Sequence, residues 1–158
     1  GRGAPRVAAA LECPLSLRPA SMVDAKIIWQ WRDTLPDSHF KASTKSSLQD
    51  HLAWFSGALR TPNRRLFVAG TPMIAHLRLD ISDTGNAIVS IILAPNARDA
   101  GHGLRLLSLL SNTCRAEGLS ALTAKIQIKN TPSIALFRSA GYTETGLVDG
   151  FYNFTLKL

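Results

Sequence analysis

Leu48, Leu52, Phe55 and Leu59 recur at intervals of four, three and four, the spacing of one helical face, and Ser46 with Gln49 forms a capping pattern ahead of them. That helix must end before Pro62. Upstream, Leu15 to Arg18 suits a short strand, and Ser21 followed by acidic Asp24 opens a second helix running to about Arg32. Downstream the period changes to two. Leu66 to Ala69 and Met73 to Ile81 are strand-like, separated by Gly70-Thr71-Pro72. In the second, Met73, Ala75, Leu77 and Leu79 face one way and His76, Arg78 and Asp80 the other, a hairpin with one polar face. After a turn at Asp83, Gly85 and Asn86, the apolar run Ala87 to Ala94 is expected to be a central strand buried on both faces. A helix over Leu104 to Glu117 stops at Gly118, a strand follows at Leu122 to Ile128, and Thr131-Pro132 starts a helix ending at Gly141. Gly146 to Leu158 reads as strands around Asp149-Gly150, with Tyr152, Phe154, Leu156 and Leu158 on one face.

This order predicts an α/β fold: a single domain with a mixed, mostly antiparallel sheet and helices on both faces. The chain's 158 residues, 46% of them hydrophobic, suffice for one domain with its own core. Residues 1–14 carry neither period and read as a linker or the end of an upstream domain, leaving 15–158 as the domain itself. The apolar runs are too short to span a bilayer and Val7 to Leu11 lacks a signal-peptide profile, so a cytoplasmic protein without membrane contact is expected. Cys13 and Cys114 give no disulfide framework, which agrees with a reducing compartment. The formal net charge of +7 would attract a polyanion. The basic residues are scattered rather than interleaved with aromatics, so a phosphorylated small molecule accounts for the excess better than nucleic acid.

Between the apolar strand and its helix lies Arg98-Asp99-Ala100-Gly101-His102-Gly103. Small residues here let the backbone turn tightly and aim successive N–H groups at an anion, with the positive end of a helix dipole behind them. A strand-to-helix turn in which the glycines serve only local geometry would have the same residues. The pattern R-x-x-G-x-G resembles the acetyl-CoA motif of the GNAT superfamily of N-acetyltransferases. Asn130 to Tyr142, NTPSIALFRSAGY, is similar to that superfamily's second signature, N-x-x-[AS]-x-x-L-[YF]-x-x-x-G-[FY], and the likeness extends over about residues 15–158.

The resemblance implies the GNAT fold, in which the strands at Ile88 to Leu93 and Leu122 to Ile128 splay and acetyl-CoA lies in the gap, and it implies no metal. Ile91, Ile92 and Leu93 are then expected to meet the cofactor through their main chain. Arg98, Gly101, His102, Gly103 and Leu104 would hold its pyrophosphate, Asn130 would contact the pantetheine or order nearby water as a catalytic residue, and Phe137 would also meet the cofactor. Asn130 also suits a plain helix cap. Where many relatives carry Tyr as proton donor to the departing thiolate, this chain has Phe137: either solvent or another donor such as Tyr152 or Tyr142 replaces it, or thiolate protonation does not limit the rate, or the domain has lost activity. The implied reaction is direct attack of a neutral amine on the thioester, and the chain lacks the G-x-S-x-G of a covalent route. His39, His51, His76 and His102 lack metal-ligand spacing.

Trp29-Gln30-Trp31-Arg32-Asp33, His51-Leu52-Ala53-Trp54-Phe55 and Leu77-Arg78-Leu79-Asp80 resemble segments of N-acetyltransferases acting on UDP-linked 4-amino sugars in pseudaminic acid synthesis. That resemblance implies a UDP-amino sugar acceptor bound by Trp31, Arg32, His51, Trp54 and Arg78, with His51 as base. Protein N-terminal or ribosomal-protein acetylation, and an inactive acetyl-CoA-binding module, are the alternatives. Trp29 and Phe55 match helical apolar spacing and are expected in the core. Gly1 to Val7 resembles the end of a UDP-sugar hydrolase domain of the same pathway, implying a fused upstream domain.

Overall fold

A computed structural model describes residues 15–35 and 46–158. The expectations for residues 1–14, Cys13 and His39 lie outside the described residues. Among the described residues seven strands form one sheet in the order β1-β2-β3-β4-β5-β7-β6. They are β1 (Leu17–Pro19), β2 (Arg64–Ala69), β3 (Ala75–Ile81), β4 (Asn86–Leu93), β5 (Ala121–Gln127), β6 (Thr143–Val148) and β7 (Phe151–Lys157). Each neighbouring pair is antiparallel except β4 with β5. The four α-helices among the described residues are α1 (Ala25–Asp33), α2 (Leu48–Leu59), α3 (His102–Ala116) and α4 (Thr131–Ser139).

Period-two alternation assigns the two sheet faces to two cores. Ala75, Leu77 and Leu79 point to the side where α3 contributes Leu106, Leu107 and Leu110 and α4 contributes Phe137. Leu66 and Val68 point to the opposite side, under Ile28 and Trp31 of α1 and Phe55 and Ala58 of α2. Full burial of a side chain such as Phe55 or Leu77 is worth roughly 1.5–3 kcal/mol, so the faces are fixed by many such contacts. A register slip of one residue in β3 would carry Arg78 into the α3 core. The β6–β7 hairpin turns at Asp149 and Gly150, both at positive φ (52° and 81°), the left-handed pair that matches strand twist.

Several expectations change in detail. The capping residue of α2 is Ser47, whose side chain accepts from the Asp50 N–H, rather than Ser46 with Gln49. Before α1 the chain makes a single 3₁₀ turn, Met22–Asp24. Asp24 closes it by accepting from the Ser21 N–H at 2.9 Å and from the Arg18 guanidinium at 3.1 Å. The polar face of β3 is partly covered on the side of α1 and α2: His76 is only 7% exposed, while Arg78 and Asp80 stay half-buried. Trp31 is buried in the α1–α2 core, whereas Trp29 is half-buried with Nε1–H donating to the Ser46 carbonyl. Trp31 thus takes the core place expected of Trp29, and neither indole lines the cavity described below. The α1 stripe facing the sheet runs through Ala25, Ile28 and Trp31, at steps of three.

Candidate active site

Pairing between β4 and β5 covers only Asn86–Ile88 against Ala121–Thr123. Beyond that point each strand keeps its outer partner, β4 with β3 as far as Leu93 and β5 with β7 as far as Gln127. The inner edges separate, and a cavity of about 480 Å³ opens between them. Ser90, Ile91 and Ile92 line it from β4 and Ala124 to Gln127 from β5; Asn130, Ser133 and Phe137 line it from the start of α4. Arg32, His51, Trp54, His76 and Arg78 line it from the α1–α2 side. This gap explains why β4 is not buried on both faces: Ile88 and Ser90 to Ile92 are only half-covered because they border it.

The loop after β4 has the geometry of an anion cradle. Gly101 sits at φ 80°, ψ 0° as the N-cap of α3, and a Cβ there would meet nothing within 4 Å, so glycine is required for its backbone angle. The first bond of α3 runs from Arg105 N–H to the Gly101 carbonyl. His102, Gly103 and Leu104 therefore carry N–H groups with no acceptor inside the helix, at its positive end. Gly103 has a different reason to be glycine. It is buried, and its Cβ would lie 3.0 Å from Leu136 Cδ2, so it lets α3 approach α4.

Arg98 departs from the expectation that it faces a pyrophosphate. Its Nε and Nη2 donate to the Leu93 carbonyl at 3.2 and 3.1 Å, and Nη2 also donates to Thr34 Oγ1 at 3.0 Å. The side chain pins the end of β4 to the end of α1, and it takes the Leu93 carbonyl that was expected to meet the cofactor. Asn130 performs the helix-cap role: its Oδ1 accepts from Ser133 N–H at 3.3 Å while the residue lines the cavity, 7% exposed.

On the α1–α2 side, Asp80 binds Arg64 Nε at 2.5 Å and Arg78 Nε at 3.2 Å. Both guanidiniums lie over the Trp54 ring, at 5.8 and 5.3 Å from its centroid. Burial lowers the Arg78 pKa, and burial with the Arg78 charge lowers that of Arg32. Arg32 and Arg78 thus place two desolvated cations on one cavity, with Asp80 beside Arg78 as the counter-charge. His51 is 3% exposed and its Nε2 is 3.0 Å from the Ala25 carbonyl. Burial outweighs that bond and lowers its pKa.

Neither tyrosine expected to replace the missing donor lines the cavity. Tyr152 points to the α3–α4 core and contacts Phe154 edge-on at 5.9 Å. Tyr142 stands edge-on to Phe137 at 4.9 Å with its hydroxyl buried, and burial raises its pKa. Period two in β7 sends Phe151, not Tyr152, toward the cavity. Trp31 is also absent from the lining, being core. Cys114 is buried in α3, and desolvation pushes its thiol up to about 11, so it is no nucleophile.

Residues 28–142 match the model of the acetyltransferase (GNAT) family. The chain belongs to that family. It is an N-acetyltransferase using acetyl-CoA, and the cradle at α3 and the splayed β4–β5 gap are residues that fit this cosubstrate. Among solved structures it resembles spermidine N-acetyltransferase from Vibrio cholerae in complex with CoA and spermine, at 17% identity and TM-score 0.78 over 90% of this chain and 95% of that one. It resembles aminoglycoside acetyltransferase AAC(6')-Ib in complex with coenzyme A and kanamycin, at 16% identity and TM-score 0.77 over 91% and 95%. A domain from Methanocaldococcus jannaschii gives TM-score 0.80 at 18% identity over 92% and 99%. No curated protein matches in sequence. Among the described residues no helix is long and apolar enough to cross a membrane, and no group of His, Cys, Asp or Glu is placed to hold a metal ion.

Proposed function

We propose that the acetyltransferase acetylates the amine of a nucleotide-linked 4-amino sugar. The observation that carries this reading is the charge of the acceptor side. Among the described residues, Arg32, Arg78 and Lys125 line the cavity against a single carboxylate, Asp80, which is already paired with Arg64 and Arg78. Spermine and kanamycin, held by the two similar enzymes, are polycations that such a lining would repel. A diphosphate would lie favourably against Arg32 and Arg78, and Trp54 at the rim offers an aromatic surface to a uracil or sugar ring. Trp31, being core, has no part in it.

Acetyl-CoA supplies an activated acetyl thioester. The N–H groups of His102, Gly103 and Leu104 would hold its pyrophosphate, and the unpaired inner edge of β4 at Ile91 and Ile92 its arm. The chain's task is then positioning: it brings a neutral amine up to the thioester carbonyl from the Arg78 face, and N–H groups at the splay receive the developing oxyanion. A sugar amine flanked by electronegative carbons loses its proton more readily than a lysine, so only a weak base is needed.

A thiol-release assay tests the acceptor. UDP-4-amino-4,6-dideoxyhexose is expected to be acetylated faster than spermidine, kanamycin or an N-terminal peptide, and Arg78→Ala is expected to raise KM for the sugar more than it lowers kcat. Faster turnover of a peptide or a polyamine would refute the proposed acceptor.

A further inference from the structure

We propose that His76, rather than His51, is the proton acceptor for the attacking amine, presenting its Nε2 lone pair to the cavity. His76 stands on β3 directly across from Ile92 of β4, the strand whose inner edge is open to the cofactor. Its ring lines the cavity from the acceptor side, under Phe55 at 5.9 Å. Nδ1 is 2.9 Å from the Phe67 carbonyl. A carbonyl can only accept, so Nδ1 carries the hydrogen, and the neutral ring must keep its lone pair on Nε2. One backbone carbonyl thereby fixes the tautomer a base requires.

The surroundings keep the ring neutral. Burial is the largest cause; the charges of Arg78, His51 and Arg32 add to it, and together they outweigh the Phe67 bond and bring the pKa down to about 4. The charged and titratable groups around His76 are Arg78 on its own strand, Arg32 and Asp24 from α1 and the turn before it, and His51 from α2. A base this weak still suffices at the right moment. As the new C–N bond forms and the C–S bond breaks, the nitrogen becomes that of an N-protonated amide, a far stronger acid than an imidazolium. Its proton passes to His76 Nε2, the electron pair of the C–S bond leaves on sulfur, and the thiolate regains the proton to end as free thiol. His51 is held by the same kind of bond, from its Nε2 to the Ala25 carbonyl, but it is less suitable because it stands on α2 and not on a strand paired with β4.

The proposal rests on acetyl transfer within this cavity and not on the sugar. Wild type is first assayed by thiol release with acetyl-CoA and each of three amines: UDP-4-amino-4,6-dideoxyhexose, spermidine and an N-terminal peptide. Release with none of them would fail the transfer reading itself and carry the proposal with it. With the fastest amine, His76→Asn, whose amide can still donate to the Phe67 carbonyl, is expected to lose about 10²-fold in kcat with KM for acetyl-CoA unchanged. Free imidazole is expected to restore part of the rate of His76→Ala and none of the rate of His51→Ala. Wild-type turnover in His76→Asn, or no rescue of His76→Ala, would overturn the assignment. Nitrogen NMR of histidine-labelled wild type reports on it without any variant. The Nδ1-protonated neutral tautomer is expected for His76 at pH 7, and the Nε2-protonated tautomer or an imidazolium would overturn it.

Discussion

Gly103 on α3 faces Leu136 on α4 so closely that a Cβ on the glycine would lie 3.0 Å from Leu136 Cδ2 and 3.2 Å from Cδ1. The two glycines of the phosphate loop therefore answer to different constraints, one to packing and one to backbone angle. Gly103→Val is expected to lower stability by about 1–3 kcal/mol through overpacking against α4. Gly101→Ala has open space but must hold φ near 80°, at a cost of about 1–2 kcal/mol, and should weaken acetyl-CoA binding by disturbing the first turn of α3. Chemical denaturation and calorimetry on both variants separate the two effects. Equal losses of affinity with unchanged stability would contradict this division.

Stability is expected to fall as acid approaches the two buried imidazoles. His76 and His51 both have pKa values below the ordinary histidine value of 6.5, His76 near 4, with burial the leading cause in each. A depressed pKa means the unfolded chain binds the proton first, so the contribution is complete above about pH 6.5 and is lost as pH falls toward 4. For His76 alone the full loss is on the order of 3 kcal/mol. Denaturation midpoints measured from pH 7 to 4 should decline more steeply in wild type than in His76→Asn. Parallel curves would show that His76 is not neutralised by the fold.

Much of this architecture is written in local periodicity, and the exceptions have physical causes. The alternation Ala75, Leu77, Leu79 against His76, Arg78, Asp80 names the two faces of β3 correctly, yet nothing in that strand says that α1 and α2 partly cover the polar one. His76 is therefore visible as a polar-face residue but not as a buried one. Trp29 and Trp31 differ by two positions on a helix, and which indole is buried depends on how α1 is rotated over the sheet, a tertiary outcome. The phosphate loop is legible as R-x-x-G-x-G; that Arg98 turns to the Leu93 carbonyl and Thr34 is not, because the motif does not record which acceptors lie near its first residue.

Phe137→Tyr adds a hydroxyl to a buried ring that lines the cavity, in a chain whose other two tyrosines are turned away from it. The variant is expected to keep or raise kcat, and Tyr152→Phe to leave kcat unchanged, since Tyr152 packs against the α3–α4 core. Steady-state thiol release decides both. A large fall in kcat for Tyr152→Phe would restore that hydroxyl to the reaction.

Acetyl-CoA is expected to enter between β4 and β5 with its pyrophosphate at the start of α3. Calorimetric titration of the wild-type protein with acetyl-CoA measures this directly. One saturable site per chain is expected, with a rise in unfolding temperature that grows with ligand concentration and is smaller in Gly101→Ala. Neither heat nor stabilisation at millimolar acetyl-CoA would contradict it.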